Sequence, residues 1–246
     1  MGKNRFQTHL KEEHQKTPIS ENIKSIVYGG TDGIITTFAV VAGFSGATVS
    51  ISGTDSLLPI SIVILFGLAN LFGDGFSMAM GDFLSHRAKK KLYDRERAKE
   101  LQEIHNDHQF EYDECVDILE HQGMKKNDAV AVMDVYQKYP EIWADFMMRY
   151  ELEMEKPEEN PIISASFTFL SFLFFGFIPL IPYLFFDSSH QHFSVSIITS
   201  AIALGVLGVL RAKVTRENIF FAILEVVCLG GVAGLIAYWV GSLVGY

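Results

Sequence analysis

Two apolar stretches of the sequence carry acids at helical spacing. Gly29, Asp32, Thr36, Ala39 and Gly43 recur on one side of the first, and Asn70, Asp74, Ser77, Met78 and Gly81 recur on one side of the second. A carboxylate inside a membrane span costs about 2.5–3.5 kcal/mol when it faces lipid. Asp32 and Asp74 therefore read as members of a polar path. For Asp32 a second reading stands beside this: a hydrated acid near the span's end, a turn or two past Lys24. Met78 reads either as core filling or as a soft thioether among hard carboxylates, a mixture that suits a transition-metal dication better than Mg2+ or Ca2+.

A third group lies in a polar segment. Glu96, Glu100 and Glu103 follow i, i+4, i+7, and Glu111 and Glu114 repeat an i, i+3 step, so each set occupies one helix face. The run "WADFMMRYELEME" adds Met147, Met148, Glu151 and Glu155, predicted within two turns of one helix. Acidic faces are ordinarily solvated surface. Several of them, following directly on a candidate membrane path, also suit metal capture.

The elements that must position these residues are helices. With 49% hydrophobic residues and 20 Phe in 246, the chain is too apolar for an ordinary soluble domain. Nearly charge-free segments at 26–52, 57–80, 162–186, 193–210 and 219–244 each approach the ~20 residues needed to cross a ~30 Å hydrocarbon core. All 20 Lys and Arg lie in residues 1–24, 87–160 and 211–216, which five spans place on one side, cytoplasmic by the positive-inside rule. The loops near Thr54 and Ser188 and the terminal Tyr246 then lie on the other side. No signal peptide is expected, because the first 24 residues lack an apolar core.

The expected architecture is an all-α integral membrane protein of five transmembrane helices with a three-helix cytoplasmic insert between the second and third spans. Its parts are an N-terminal segment at 1–24, spans one and two at 25–86, the insert at 87–160 and spans three to five at 161–246. The insert holds 19 of the 29 acids, which makes it the acidic half of the chemistry. Its "SHRAKKKLYDRERAKELQEI" has no Gly or Pro and continues span two as one long helix. A bend is expected at 105–108, a stop at Gly123 with Asp128 as the next N-cap, and a last helix from Pro140 to near Pro157. Small-residue pairs such as Gly29 with Gly33, Gly43 with Gly46 and Gly230 with Gly234 predict close helix packing. Glu225 reads as a further buried acid that pairs with a neighbouring helix.

Other chemistries find no motif. There is no Gly-rich phosphate loop, no G-x-S-x-G and no H-E-x-x-H. None of the eight His lies three residues after a Glu, as a ferritin-like di-iron site would want. The net charge of -9, with basic residues confined to one membrane-proximal side, argues against nucleic acid. Cys115 and Cys228 fall in different segments, so no structural disulfide is expected.

Taken together, "TDGIITTFAVVAGFSG", "GDGFSMAMGDFLSHRAKKKLYDRE" and the acidic insert ending in "FMMRYELE" resemble the vacuolar iron transporter family over nearly the whole chain from Ile26. The resemblance implies a homodimer in the lipid bilayer that moves Fe2+, and often Mn2+, out of the cytoplasm in exchange for protons. It implies no prosthetic group, and an inner membrane or a vacuole-like membrane as the location. It implies a path lined by spans one and two, with Asp32 and Met78 as path residues. It also implies metal binding by Glu100, Glu103, Glu111, Glu114, Met147, Met148 and Glu151. Asn70 departs from the pattern, standing where plant members carry a glutamate. An amide can ligate but cannot release a proton, so either Asp74, one turn on, takes over that role or proton coupling is altered or absent. Glu, Met and Asp ligands also accept Co2+ and Zn2+. The rival readings are a membrane-anchored metal-binding or ferroxidase protein and a passive cation channel.

Overall fold

The computed structural model describes residues 22–51, 60–157, 160–185 and 191–244. Most of the N-terminal segment, the loops expected near Thr54 and Ser188, and Tyr246 lie outside the described residues. Among the described residues the chain is helical without strands. The helices are α1 (Ile23–Ile51), α2 (Ile60–Asn106), α3 (His108–His121), α4 (Lys126–Tyr136), α5 (Pro140–Tyr150), α6 (Pro161–Gly176), α7 (Ile181–Phe185), α8 (His192–Thr215) and α9 (Ile219–Val244), with a 3-10 turn at Ile178–Leu180. Among the described residues five helical stretches are long and apolar enough to cross a membrane: Ile23–Thr48, the apolar part of Ile60–Asn106, Pro161–Phe185, His192–Thr215 and Ile219–Val244. The third is interrupted. Pro179 and Pro182 lack the N–H that would continue the ladder, so α6 gives way to the 3-10 turn and the short α7. The Ser196 hydroxyl of α8 donates to the Pro179 carbonyl at 2.8 Å, as broken helices in lipid require.

The chain divides into two compact units, residues 1–83 with 162–246, and residues 84–161. In the first unit glycines let α1 approach its neighbours backbone to backbone. A Cβ at Gly33 would strike the Phe172 carbonyl of α6, and one at Gly46 the Tyr238 carbonyl of α9. Lipid supplies little hydrophobic drive for helices to associate, so dispersion contacts at such close range hold them. Ile34, Leu204, Leu207 and Val226 fill the space between α1, α8 and α9.

Polar ties add direction. Ser25 and Ser164 share a hydrogen bond at 2.9 Å, and Ser164 donates to the Asp82 carboxylate at 2.6 Å, linking α1, α6 and α2. Glu225 pairs with a neighbouring helix as expected but is not buried. Its side chain is 65% exposed, and it pairs with Arg211 of α8 at 3.0 Å, because α9 turns that face away from the helix core.

The second unit is the far part of α2 with α3, α4 and α5. Asp107 breaks the long helix within the expected bend, and Gly123 ends the α3 segment with φ +97°. Lys125, not Asp128, occupies the N-cap of α4. Asp128 instead sits in the first turn, where the helix dipole favours an acid. Pro140 starts α5 at its first turn, where its missing N–H costs nothing.

That helix ends at Tyr150, earlier than predicted. The Leu152 and Met154 amides turn back to the Met147 and Met148 carbonyls, and Glu153 takes φ +51°. Glu151 is therefore the C-cap and Glu155 lies beyond the helix. The unit closes over Trp143, Met133, Met147 and Cys115, all fully buried. Each apolar side chain of this kind contributes about 1.5–3 kcal/mol. Arg97 of α2 clamps α5 from outside, reaching Glu141 and Asp145 at 2.6 Å each.

Candidate functional site

In the membrane unit Asp32 is half-buried on α1 and Asp74 is exposed on α2. Thr36 Oγ1 donates back to the Asp32 carbonyl at 2.9 Å, which commits the hydroxyl's proton and leaves its oxygen as an acceptor. Asn70 and Met78 are half-buried. The Asn70 Nδ2 is buried without a hydrogen-bond partner, so nothing fixes which end of its amide is presented to an occupant.

On α2 the residues Gly73, Asp74, Ser77 and Gly81 form an open stripe. All four are exposed, and a Cβ on either glycine would meet nothing within 4 Å. The small face of α1 is different, since the backbones of α6 and α9 fill it at Gly29, Gly33 and Gly46. The glycines of α1 make packing, and its acid sits beside them.

Asp82 of α2 belongs to none of the polar residue sets above. Its carboxylate accepts from Ser164 at 2.6 Å and from Thr168 at 3.3 Å. The available signal was an acid in "MGDF" one turn past Met78. Its partners on α6, Ser164 and Thr168, stand four residues apart on one helix face, and hydroxyls at that spacing in a span are common in packing.

In the second unit Glu100 is 2% exposed and Glu111 is 6% exposed. Burial pushes the Glu100 carboxyl up to about 7, and the charges of Glu151, Glu103 and Glu111 add to the effect. Burial likewise pushes Glu111 up to about 7, reinforced by Glu114, Glu103, Glu151 and Asp107. Glu151 is raised by burial and then by Glu114 and Glu103. These acids are thus mutually within electrostatic reach although they come from α2, α3 and the end of α5. Glu100 Oε2 is buried without a hydrogen-bond partner. Glu103 forms a partly exposed ion pair with Lys99 at 3.3 Å.

Among the described residues no three Asp, Glu, His or Cys side chains converge closely enough to hold a metal ion. The acids are gathered without being closed into a ligand shell. Met147 and Met148 are fully buried. The Met147 sulfur accepts from the Cys115 thiol at 2.9 Å, and Cys115 Sγ accepts from Trp143 Nε1 at 3.0 Å. Burial pushes the Cys115 thiol up to about 12, with the Trp143 bond opposing and Glu111, Glu114 and Glu151 adding to it. The sulfur pair therefore lies within electrostatic reach of the acids, and the thiol is neutral.

Residues 23–242 match the model of the VIT family. The chain is 33% identical over 243 residues to the vacuolar iron transporter of Toxoplasma gondii, covering 95% of this chain and 77% of that protein. It is 30% identical over 233 residues to vacuolar iron transporter 1 of Tulipa gesneriana, covering 94% and 91%. It is 29% identical over 237 residues to vacuolar iron transporter 1 of Oryza sativa subsp. japonica, covering 96% and 90%. With a family model spanning nearly every described helix and relatives aligned along most of their length, the chain belongs to the VIT family.

Proposed function

We propose that this protein moves Fe2+ out of the cytoplasm across a vacuole-like or inner membrane in exchange for protons, and that it does so as a homodimer. The observation that carries the reading is the Glu100 carboxylate. It is 2% exposed, has an oxygen without a hydrogen-bond partner, and is crowded by the charges of Glu103, Glu111 and Glu151. Buried like charges of this kind destabilise a fold unless a cation or a proton relieves them. Divalent metal does so directly, and the sulfurs of Met147 and Met148 favour a transition metal over Ca2+ or Mg2+. The same ligand chemistry admits Mn2+, Co2+ and Zn2+ as cargo.

The 87–160 insert is the capture domain on the cytoplasmic side. The metal then passes along Asp32, Met78, Asp74 and Asn70. Asn70 offers a carbonyl oxygen only, so Asp74 carries the proton that an acid at 70 would carry. A second copy of the chain covers the open Gly73, Asp74, Ser77 and Gly81 stripe, and the path runs between the two copies. The relatives' names as vacuolar iron transporters support iron as the cargo.

Metal-dependent proton flux in sealed vesicles of the purified chain tests this reading. An Fe2+ gradient is expected to drive protons the opposite way. Metal movement without proton movement would make the protein a channel, and no movement of either would leave a membrane-anchored binder.

A further inference from the structure

Cys115 is fully buried in the second unit and makes two directed contacts. Trp143 Nε1 reaches its sulfur at 3.0 Å, and its sulfur lies 2.9 Å from Met147 Sδ. The roles are fixed by chemistry. An indole N–H only donates and a thioether only accepts, so the thiol proton points to Met147. Trp143 and Met147 are four residues apart on α5 and present one face to α3.

The acids repeat this arrangement. Glu111 lies four residues before Cys115 on α3, and Glu151 four residues after Met147 at the cap of α5. The thiol–thioether contact therefore stands one turn from Glu111 along one helix and one turn from Glu151 along the other.

An unbranched Met side chain with three rotatable bonds is a poorly defined ligand when nothing holds it. A hydrogen bond to one sulfur lone pair fixes the rotamer and leaves the other lone pair directed. Outer partners that orient a ligand in this way typically control about 10- to 100-fold of metal affinity. We propose that Cys115, held in turn by Trp143, is a positioning residue that aims the Met147 thioether and so sets the insert's preference for soft over hard dications. This rests on the reading that the insert binds metal.

The test uses the full chain in detergent, with Cd2+ as the soft probe and Mn2+ as the hard one. Cys115→Ala is expected to raise the Kd for Cd2+ about 10-fold while leaving Mn2+ nearly unchanged. Cys115→Ser, whose hydroxyl can both accept from Trp143 and donate to Met147, is expected to restore most of the Cd2+ affinity. In a Met147→Leu background the Cys115→Ala effect should vanish, because the residue acts through that sulfur.

Equal losses for Cd2+ and Mn2+ would overturn the inference as a packing effect. A Cd2+ loss that persists in Met147→Leu, or that Cys115→Ser fails to rescue, would overturn it in favour of direct thiolate ligation. Near-UV circular dichroism checks each fold, and Cys115→Val, which keeps the volume but neither hydrogen bond, carries the test if the alanine variant unfolds. A parent chain that binds neither metal would overturn the metal-binding insert and this inference together, whereas a binding parent with unaltered selectivity in Cys115→Ala sinks the inference alone.

Discussion

The two units place their acids in opposite settings. In the membrane unit Asp32 is half-buried and Asp74 lies on an open helix face, with Gly73 and Gly81 clear of any neighbour. In the second unit Glu100 and Glu111 are buried, and Glu111 stands one helical turn from the Cys115–Met147 contact. An ion that must leave needs a site that is not too deep, whereas an ion gathered at low concentration needs one that gains much from its arrival. Buried, mutually repelling glutamates meet the second need, because metal binding removes a strain already present. The contrast fits the proposed division, with passage at Asp32 and Asp74 and capture in the insert.

The sharpest way to break this division is to neutralise the capture acids. Glu100→Gln together with Glu111→Gln should weaken metal binding roughly 10- to 100-fold, from the loss of charge-assisted contacts. The same change should stabilise the metal-free protein at pH 8, where most mutations destabilise. Unchanged affinity by titration calorimetry would move capture elsewhere.

The pH dependence sharpens the same point. Both groups have folded values of about 7 against an ordinary 4.5. The folded state thus favours their neutral forms, and that contribution to stability is full below pH 4.5 and lost as pH rises through 7. The unfolding midpoint of the metal-free insert, followed by tryptophan fluorescence, should fall between pH 5 and pH 8. Metal affinity should run the other way and weaken as pH drops below 7. A midpoint that rises with pH would contradict the buried, crowded acids.

Smaller effects probe the membrane unit. Gly33→Ala pushes a methyl into the Phe172 carbonyl and should cost about 1–3 kcal/mol by overpacking, read as a lowered melting temperature in detergent. Glu225→Gln removes the ion pair with Arg211 but leaves a neutral amide that can still accept from it, and should lower the melting temperature less than Gly33→Ala. If Glu225→Gln proved the more damaging, the packing account of α1 would need revision.

The spans were legible because each is a long charge-free run, and the long α2 because "RAKKKLYDRERAKELQEI" holds no breaker. Pro140 and Gly123 marked their helix ends for the same local reason. What stayed hidden depends on contacts between distant segments. Glu153 takes a left-handed conformation although it is not glycine, so the early end of α5 and the displacement of Glu155 had no local signal. Glu225 read as buried because hydropathy reports the run it sits in, not the direction its face takes. The Trp143, Cys115 and Met147 chain joins two helices through polar atoms of residues that look apolar in sequence.

The central claim is that capture and passage are separate, and one protein measured two ways tests it most directly. In Asp32→Asn, equilibrium Fe2+ binding by the purified chain should match the parent, while Fe2+ flux and the accompanying proton flux in sealed vesicles fall to background. Flux at the parent rate, or binding lost along with flux, would contradict the division of labour between the two units.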